Sequence, residues 1–276
     1  MIPSIMLLTL ESNAKLNNGV EIPYLGLGVY QSPPGEITLR AVRYALKIGY
    51  RQIDTAELYG NEKDVGRALR ESGIRRDDVF ITTKVWNSHQ GYDSTLYSCE
   101  GSLGRLGLSY VDLYLIHWPV QGLGDETWRA MIKLWRQGKA RAIGVSNYSI
   151  RELNELIDKS DIVPAVNQVE FHPFLYQEEL LQFCKNNKIQ LEAYSPLTRG
   201  KRLNHPNILE LAKKYNKTPA QVLIRWSLQH NVIVIPKSIH EARIKENSQV
   251  FDFQLEPKDM KLLDSLNENL YTVFLD

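Results

Sequence analysis

The chain has 276 residues, 43% hydrophobic and 24% charged, which is enough apolar sequence for one large core. Its 33 basic and 32 acidic residues give a net charge of +1, so nothing favours a nucleic-acid or membrane partner. Cys99 and Cys184 lack disulfide and metal-ligand spacing. No segment has the ~20 apolar residues of a transmembrane helix, and residues 5–10 do not form a signal peptide. We therefore expect a cytoplasmic location.

An alternation of apolar strands and amphipathic helices follows a short β-hairpin. The hairpin is predicted at residues 14–22, where Asn18-Gly19 readily supplies the positive φ angles of a tight turn. Residues 1–13 precede it as an extension that we expect to be mobile or loosely packed. The predicted strands of the alternation are 24–28, 50–54, 79–84, 111–116, 142–145, 163–169, 189–194 and 232–235.

Helical patterns separate these strands. Residues 41–46 place apolar side chains on one helical face, and a second helix is predicted at 61–71. A later helix opens with Thr218-Pro219-Ala220-Gln221, which is an N-cap, a first-turn proline and a capping-box glutamine. The last helix of the alternation begins near Glu241, and a charged helical tail covers 256–266.

Eight strand–helix units predict parallel strands that close into an α/β fold, the (β/α)₈ or TIM barrel. We expect residues 1–276 to form one such domain, with an N-terminal β-hairpin and a C-terminal extra helix. A doubly wound sheet is the structural alternative. Such a sheet normally carries a glycine-rich turn after its first strand. Here Gly26-Leu27-Gly28 lacks the third glycine and leads into Ser32-Pro33-Pro34 instead of a helix.

Polar side chains stand at the carboxyl ends of nearly all the predicted strands. Because these ends meet at one mouth of a barrel, we expect the side chains to converge there. They are Asp54, Lys84, His117, Ser146, Asn147, Asn167, Gln168, Tyr194, Ser195, Lys237 and Ser238.

The loop after the strand at 50–54 carries Tyr59. A phenol with an ordinary pKa near ~10 is a poor proton donor at neutral pH. Lys84, held by Asp54, would stabilise the phenolate and lower that pKa toward the range of efficient general acid catalysis. The pattern therefore indicates a site that delivers a proton.

Each of these residues also has a purely structural interpretation. Asp54 and Lys84 would form a buried ion pair, and His117 would be a satisfied core histidine. Ser146-Asn147 would cap the following helix, and Lys237 and Arg243 would be solvated surface charge. The structural interpretation needs a separate explanation for each residue, whereas convergence at one barrel mouth accounts for them all.

Seven motifs, in order and spacing, resemble those of the aldo-keto reductases. The resemblance runs from the hairpin to the tail helix and is closest to small microbial members, such as the aldehyde and 2,5-diketo-gluconate reductases. It implies an NADP-dependent oxidoreductase that acts on a small carbonyl substrate (an aldehyde, dicarbonyl or keto-sugar) and works as a monomer. The motifs lie at 54–62, 83–86, 115–119, 144–148, 167–170, 194–197 and 235–247.

The resemblance also implies roles for the polar residues. Tyr59 would be the general acid that protonates the carbonyl oxygen as hydride arrives, and Lys84, paired with Asp54, would tune its pKa. His117 would orient the carbonyl and stabilise the developing alkoxide. The substrate contacts implied are Tyr30, Trp86, His117 and Trp118.

A further set of residues would hold the cofactor. Lys237, Ser238 and Arg243 suit the extra phosphate of NADP, because two cations and a hydroxyl match a phosphate dianion better than a bare ribose. We therefore expect NADPH in preference to NADH. The full implied set is Gly28, Ser146, Asn147, Gln168, Tyr194, Ser195, Leu197, Lys237, Ser238, Arg243, Glu246 and Asn247.

Two other classes of function fit a barrel of this kind. One is a regulatory or structural subunit that binds nucleotide with little turnover; the complete set of four catalytic-type residues opposes it. The other is a different barrel chemistry, such as sugar isomerisation or metal-assisted hydrolysis. Metal-assisted chemistry requires clustered carboxylates and histidines, and the six histidines show no ligand spacing, so no metal is expected.

Overall fold

The structure, a computed structural model, describes residues 8–274. It begins with the antiparallel hairpin of β1 (Asn13–Lys15) and β2 (Glu21–Pro23). Eight strands follow, each parallel to the next in chain order. These are β3 (Leu27–Gly28), β4 (Gln52–Asp54), β5 (Phe80–Val85), β6 (Val111–Ile116), β7 (Ala140–Ser146), β8 (Val166–Glu170), β9 (Gln190–Tyr194) and β10 (Ile233–Val234).

The eight parallel strands close into a barrel. At the seam, the Val234 N–H donates to the Tyr24 carbonyl at 3.0 Å and the Gly26 N–H donates to the Val234 carbonyl at 2.9 Å. A parallel bridge also joins Gly28 to Lys237. A Cβ at Gly28 would lie 2.8 Å from the Ile235 carbonyl oxygen, so this close approach requires glycine. The predicted (β/α)₈ barrel is confirmed.

The helices lie outside the strands. They are α1 (Glu36–Lys47), α2 (Glu62–Ser72), α3 (Tyr92–Leu106), α4 (Gly124–Arg136), α5 (Ile150–Asp158), α6 (Glu178–Asn186), α7 (Pro206–Tyr215), α8 (Pro219–Gln229), α9 (Glu241–Ser248) and α10 (Pro257–Asp264). The predicted capping box of α8 is confirmed, because the Gln221 N–H donates to Thr218 Oγ1 while Gln221 Oε1 accepts from the Thr218 N–H. Within residues 8–274, no helix is both long enough and apolar enough to cross a bilayer.

Helix α5 corrects one alternative from the sequence. Its N-cap is Ser149, which forms a capping box with Glu152. The interpretation of Ser146-Asn147 as the cap of this helix is therefore wrong, because Ser146 is still part of β7 and its hydroxyl donates to the Gln168 carbonyl. The polar pair at the end of β7 is left available for another role.

The hairpin covers the amino-terminal end of the barrel. Ala14, Leu16 and Ile22 pack in one buried cluster with inward side chains such as Phe80 and Leu113. The carboxyl ends of the strands form the opposite, open mouth.

The predicted extension, 1–13, lies only partly within the described residues. Leu8 and Leu10 are partly buried against the hydrophobic core. Ser12 is also held in place, because its carbonyl accepts a hydrogen bond from the Tyr24 N–H at 3.1 Å. The remainder of the extension, residues 1–7, lies outside the described part of the chain.

A close contact between α2 and α3 gives a prediction for Gly66. A Cβ there would lie 1.9 Å from the Leu106 carbonyl oxygen. We expect Gly66→Ala to lower the free energy of unfolding by about 2 kcal/mol or more, because helical backbone must move to accommodate the methyl group. Urea unfolding of the purified variant measures the change.

The matched control is Gly104→Ala on α3, where nothing lies within 4 Å of the added Cβ. This substitution is expected to raise stability by about 0.5–1 kcal/mol through helix propensity alone. Equal effects of the two substitutions would contradict the packing described for Gly66.

Candidate active site

Four polar side chains meet at the open mouth of the barrel. Lys84 Nζ lies 2.7 Å from Asp54 Oδ1 and 2.9 Å from the Thr55 carbonyl oxygen. The Tyr59 hydroxyl lies 3.4 Å from Lys84 Nζ and 3.5 Å from His117 Nε2. The four residues that the sequence pattern singled out therefore form one connected cluster.

Hydrogen bonds of the Asn61 side chain fix the loop that carries Tyr59. The Asn61 side chain donates to the carbonyls of Val29 and Ser32 at 3.0 and 3.2 Å, and accepts from the Thr55 hydroxyl at 2.7 Å. Gly60 takes a left-handed conformation with φ of 67°, which lets the chain turn into α2 immediately after the tyrosine. The loop is thus held by buried hydrogen bonds of Thr55 before the tyrosine and of Asn61 after it.

The pKa of Tyr59 differs in direction from the sequence-based expectation. Burial raises the pKa of Tyr59 well above its ordinary value, and the Asp54 carboxylate acts in the same direction. The expected net lowering of this pKa is wrong, because burial and the Asp54 charge outweigh the stabilisation of the phenolate by Lys84 at 3.4 Å. The phenol therefore holds its proton firmly until negative charge develops beside it.

His117 is a neutral imidazole in this environment. Burial and the nearby Lys84 charge lower its pKa well below the ordinary value. Its Nδ1 is buried without a hydrogen-bond partner among residues 8–274, so His117 is not a satisfied core histidine. An unpartnered acceptor costs less than an unpartnered N–H donor, which places the proton on Nε2, toward Tyr59.

A polar network continues below the mouth, inside the barrel. The Gln168 amide nitrogen donates to Asp54 Oδ2 at 2.8 Å and to Glu192 Oε2 at 2.7 Å. Gln52 Nε2 donates to the other Glu192 oxygen at 2.5 Å. Gly26 makes room for this layer, because a Cβ there would lie 2.8 Å from the Gln52 side chain. Burial and the Asp54 charge raise the pKa of Glu192 to about 7.

The residues expected to hold the nicotinamide end of the cofactor lie side by side. The Tyr194 hydroxyl donates to Asn147 Oδ1 at 2.8 Å, and the Asn147 amide donates to the His117 carbonyl and to Ser146 Oγ, both at 3.0 Å. Asn147 has a positive φ of 62°, which turns the chain at the end of β7. The end of β7 thereby joins the aromatic ring of β9 to the His117 backbone.

The residues expected at the phosphate end carry uncompensated positive charge. Partial desolvation of its ammonium and the neighbouring Arg199 charge lower the pKa of Lys237. Within residues 8–274, no carboxylate lies within 4.0 Å of a cationic atom of Lys237, Arg199 or Arg243. Ser238 Oγ accepts from the His240 N–H at the start of α9. Lys237 and Arg243 are exposed, as their interpretation as solvated charge also requires.

The other expected cofactor residues fall into two groups. Ser195 and Leu197 are half-buried in the loop after β9, in which Ser195 has a positive φ of 49°. Glu246 and Asn247 lie on the last turns of α9; the Glu246 carboxylate accepts from the Thr218 hydroxyl at 2.9 Å, and Asn247 is buried.

Aromatic rings line the mouth around the cluster. The Tyr30 ring lies 5.0 Å from the Tyr59 ring, and the Trp86 ring lies edge-on to His117 at 5.0 Å. Trp118 follows His117 directly and is half-buried. The three aromatic residues among the four expected substrate contacts therefore belong to loops at the same mouth as the catalytic cluster.

Two buried carboxylates in this region were not singled out from the sequence. Glu192 sits in the middle of β9, and Glu57 accepts from the Trp86 N–H and from the Ser98 hydroxyl. A charged residue inside an otherwise apolar strand was the available signal for Glu192. Glu57 gave no comparable signal, because its loop is polar and its partners, Trp86 directly after β5 and Ser98 on α3, are distant in the sequence.

No group of three or more His, Cys, Asp or Glu side chains within residues 8–274 has the geometry of a metal site. The chemistry of the mouth is instead that of two neutral donors, a phenol and an imidazole, aimed at one small volume beside a buried ammonium. Such a pair suits a reaction in which one oxygen atom gains negative charge.

Comparisons with known proteins agree with this fold. The model of the Aldo/keto reductase family matches residues 25–268. The glyoxal reductase of Bacillus subtilis is 52% identical over 261 residues, which cover 95% of each chain. The chain belongs to the aldo/keto reductase family of oxidoreductases.

Solved structures give the same result. An aldo/keto reductase from Brucella melitensis superposes with a TM-score of 0.89 at 49% identity, covering 93% of this chain and 99% of that one. A Bombyx mori aldo-keto reductase, solved in complex with NADP, superposes with a TM-score of 0.90 at 35% identity, covering 96% and 95%.

The raised pKa of Glu192 predicts how stability depends on pH. The folded state binds the Glu192 proton more tightly than the unfolded state, so this group lowers stability as pH rises from about 4.5 to about 7. We expect Glu192→Gln to raise the unfolding free energy at pH 8 by up to about 3 kcal/mol, since each pKa unit is worth about 1.4 kcal/mol. Urea unfolding at pH 8 and pH 5 should show this gain shrinking at the lower pH.

Asp112→Asn serves as the control for a buried carboxylate that is paired with cations. Asp112 accepts from Arg76, Arg141 and the Ile81 N–H, so its loss should destabilise the protein at both pH values. A Glu192→Gln variant that is less stable than wild type at pH 8 would contradict the electrostatic assignment.

Proposed function

We propose that this protein transfers hydride from NADPH to the carbonyl carbon of small aldehydes, ketones or dicarbonyls, including small sugars and keto-sugars, with Tyr59 as the general acid. One observation carries the proposal: the Tyr59 hydroxyl lies within 3.5 Å of both a buried ammonium and a neutral imidazole. The glyoxal reductase relative supports a dicarbonyl substrate.

Hydride addition places negative charge on the carbonyl oxygen, and two donors of this chain meet that charge. His117 Nε2 donates a hydrogen bond that orients the carbonyl, and Tyr59 Oη gives up its proton to the developing alkoxide. The phenolate that remains lies beside Lys84, whose ammonium stabilises it. Asp54 keeps Lys84 charged and in place throughout.

The residues of the mouth fit a nicotinamide cofactor. When bound, NADPH supplies the hydride at its nicotinamide ring. The Tyr194 ring would form the platform for that ring, and Ser146, Asn147 and Gln168 would hold its carboxamide. Gln168 Oε1 accepts no hydrogen bond from residues 8–274 and remains available as an acceptor.

The far end of the groove fits the 2′-phosphate of NADPH. Lys237, Ser238 and Arg243 would bind this group at the start of α9, where exposed backbone N–H groups also favour an anion. The lowered pKa of Lys237 beside Arg199 supports this assignment, because a phosphate would relieve the repulsion between the two cations. Ser195 and Leu197 would line the pyrophosphate, and Glu246 and Asn247 would contact the adenine.

Replacing Tyr59 tests the chemistry. We expect Tyr59→Phe to lower kcat with glyoxal by ~10²-fold or more, because the general acid is lost while the ring remains. NADPH oxidation at 340 nm measures the rate, and quenching of tryptophan fluorescence measures NADPH binding, which should stay within a few-fold of wild type. Tyr97→Phe is the control, since this tyrosine is 83% exposed on α3.

The same experiment separates the alternative function. Wild-type protein that binds NADPH but reduces no member of a panel of aldehydes, dicarbonyls and keto-sugars would be a nucleotide-binding subunit instead. Retention of wild-type kcat by Tyr59→Phe would remove Tyr59 from the role of general acid.

Cofactor preference gives a second test. The double variant Lys237→Met/Arg243→Met should raise the KM for NADPH by ~10- to 100-fold and leave the KM for NADH within about threefold, because only NADPH carries the 2′-phosphate. Lys185→Met, at the last turn of α6, should change neither constant. An equal rise in both constants would contradict a phosphate site at these residues.

A further inference from the structure

The Glu192 carboxylate is buried inside the barrel without a cation at contact distance. Its side chain has 0% exposure. Both oxygens accept hydrogen bonds only from neutral amides, those of Gln52 and Gln168. The charged groups that act on it are Asp54, which repels it, and Lys84, whose ammonium is already paired with Asp54. Such a carboxylate is costly to bury, and apolar packing alone does not account for it.

The position of Glu192 fixes the amide of Gln168. The two N–H groups of Gln168 Nε2 are taken by two different carboxylates, Asp54 at 2.8 Å and Glu192 at 2.7 Å. An amide that faces two carboxylates must present its nitrogen to them, since its oxygen would be repelled. The Gln168 oxygen is thereby turned away from both carboxylates and is held as a free acceptor.

We propose that Glu192 is a positioning residue for the cofactor: by holding the Gln168 amide nitrogen, it fixes Gln168 Oε1 as the acceptor for the N–H₂ group of the nicotinamide carboxamide. This inference rests on the proposed function and deepens it. Glu192 touches neither cofactor nor substrate; it acts through Gln168. The orientation of the carboxamide in turn sets the rotation of the nicotinamide ring beside Tyr59.

Gln52, the second hydrogen-bond partner of Glu192, allows a test that separates this positioning role from a role of the Glu192 charge. Gln52 Oε1 is buried and has no hydrogen-bond partner among residues 8–274. If Glu192 is replaced by glutamine, Gln52 turns its amide over and accepts from the new N–H₂ group. The oxygen of the new glutamine then still accepts from Gln168. Methionine at the same position fills a similar volume but offers no comparable acceptor.

The test compares binding of two oxidised cofactors that differ only in the carboxamide. NADP⁺ carries the N–H₂ group, and its 3-acetylpyridine analogue has a methyl group in that place. Fluorescence quenching gives the Kd of each for wild type, Glu192→Met, Glu192→Gln and Asp112→Asn, with no turnover required. Wild type should prefer NADP⁺ by about fivefold or more, the factor expected from one hydrogen bond.

Glu192→Met should lose most of this preference, whereas Glu192→Gln should keep it. Asp112→Asn, which disturbs a buried carboxylate far from the mouth, should keep it as well. A merely structural role for Glu192 would change stability or both Kd values together and leave their ratio unaltered.

Three kinds of result would contradict the inference, and they can be told apart. If Glu192→Met keeps the wild-type ratio, or if Glu192→Gln loses it together with Glu192→Met, the positioning role is overturned while NADP⁺ binding stands. If wild type binds both cofactors equally, Gln168 makes no carboxamide contact and the inference is overturned. If wild type binds neither cofactor, the proposed function falls and this inference falls with it.

Discussion

The buried ion pair between Asp54 and Lys84 is the interaction on which the site depends. The two side chains are 2% and 0% exposed and lie 2.7 Å apart. Either charge alone inside a barrel would cost several kcal/mol, and the pair is tolerated because hydrogen bonds from Gln168 and to the Thr55 carbonyl satisfy the remaining atoms. The pair fixes an ammonium beside Tyr59 without exposing it to water.

The two ends of the barrel have different roles: the hairpin end stabilises the fold, and the mouth end carries the polar groups of the site. The hairpin end is filled by apolar side chains such as Leu16, Leu113 and Ile233, which supply a continuous core. The mouth end contains groups that lower stability, among them the Glu192 carboxylate and the unpartnered Nδ1 of His117. Groups that cost stability and converge on one volume indicate selection for function at that end.

The sequence predicted the barrel and the four-residue cluster because both leave local signals. Eight alternating strands and helices indicate a closed parallel barrel, and a polar residue after an apolar strand marks a mouth position. The strand ending at Gly28 is shorter than predicted, because closure at the seam uses isolated bridges to Val234 and Lys237 instead of a long ladder. The pKa direction of Tyr59 and the role of Glu192 were missed, because desolvation and side-chain contacts across the barrel arise only on folding.

The most direct test of this account is the double variant Asp54→Asn/Lys84→Met, which removes both buried charges and keeps the shape. Its NADPH oxidation rate with glyoxal and its urea unfolding curve should be measured beside wild type. The account predicts a stability close to wild type, because a buried ion pair contributes little net stability, with kcat lower by ~10²-fold or more. A variant that keeps its kcat within tenfold of wild type would contradict the claim that this ion pair supports the Tyr59 proton donor.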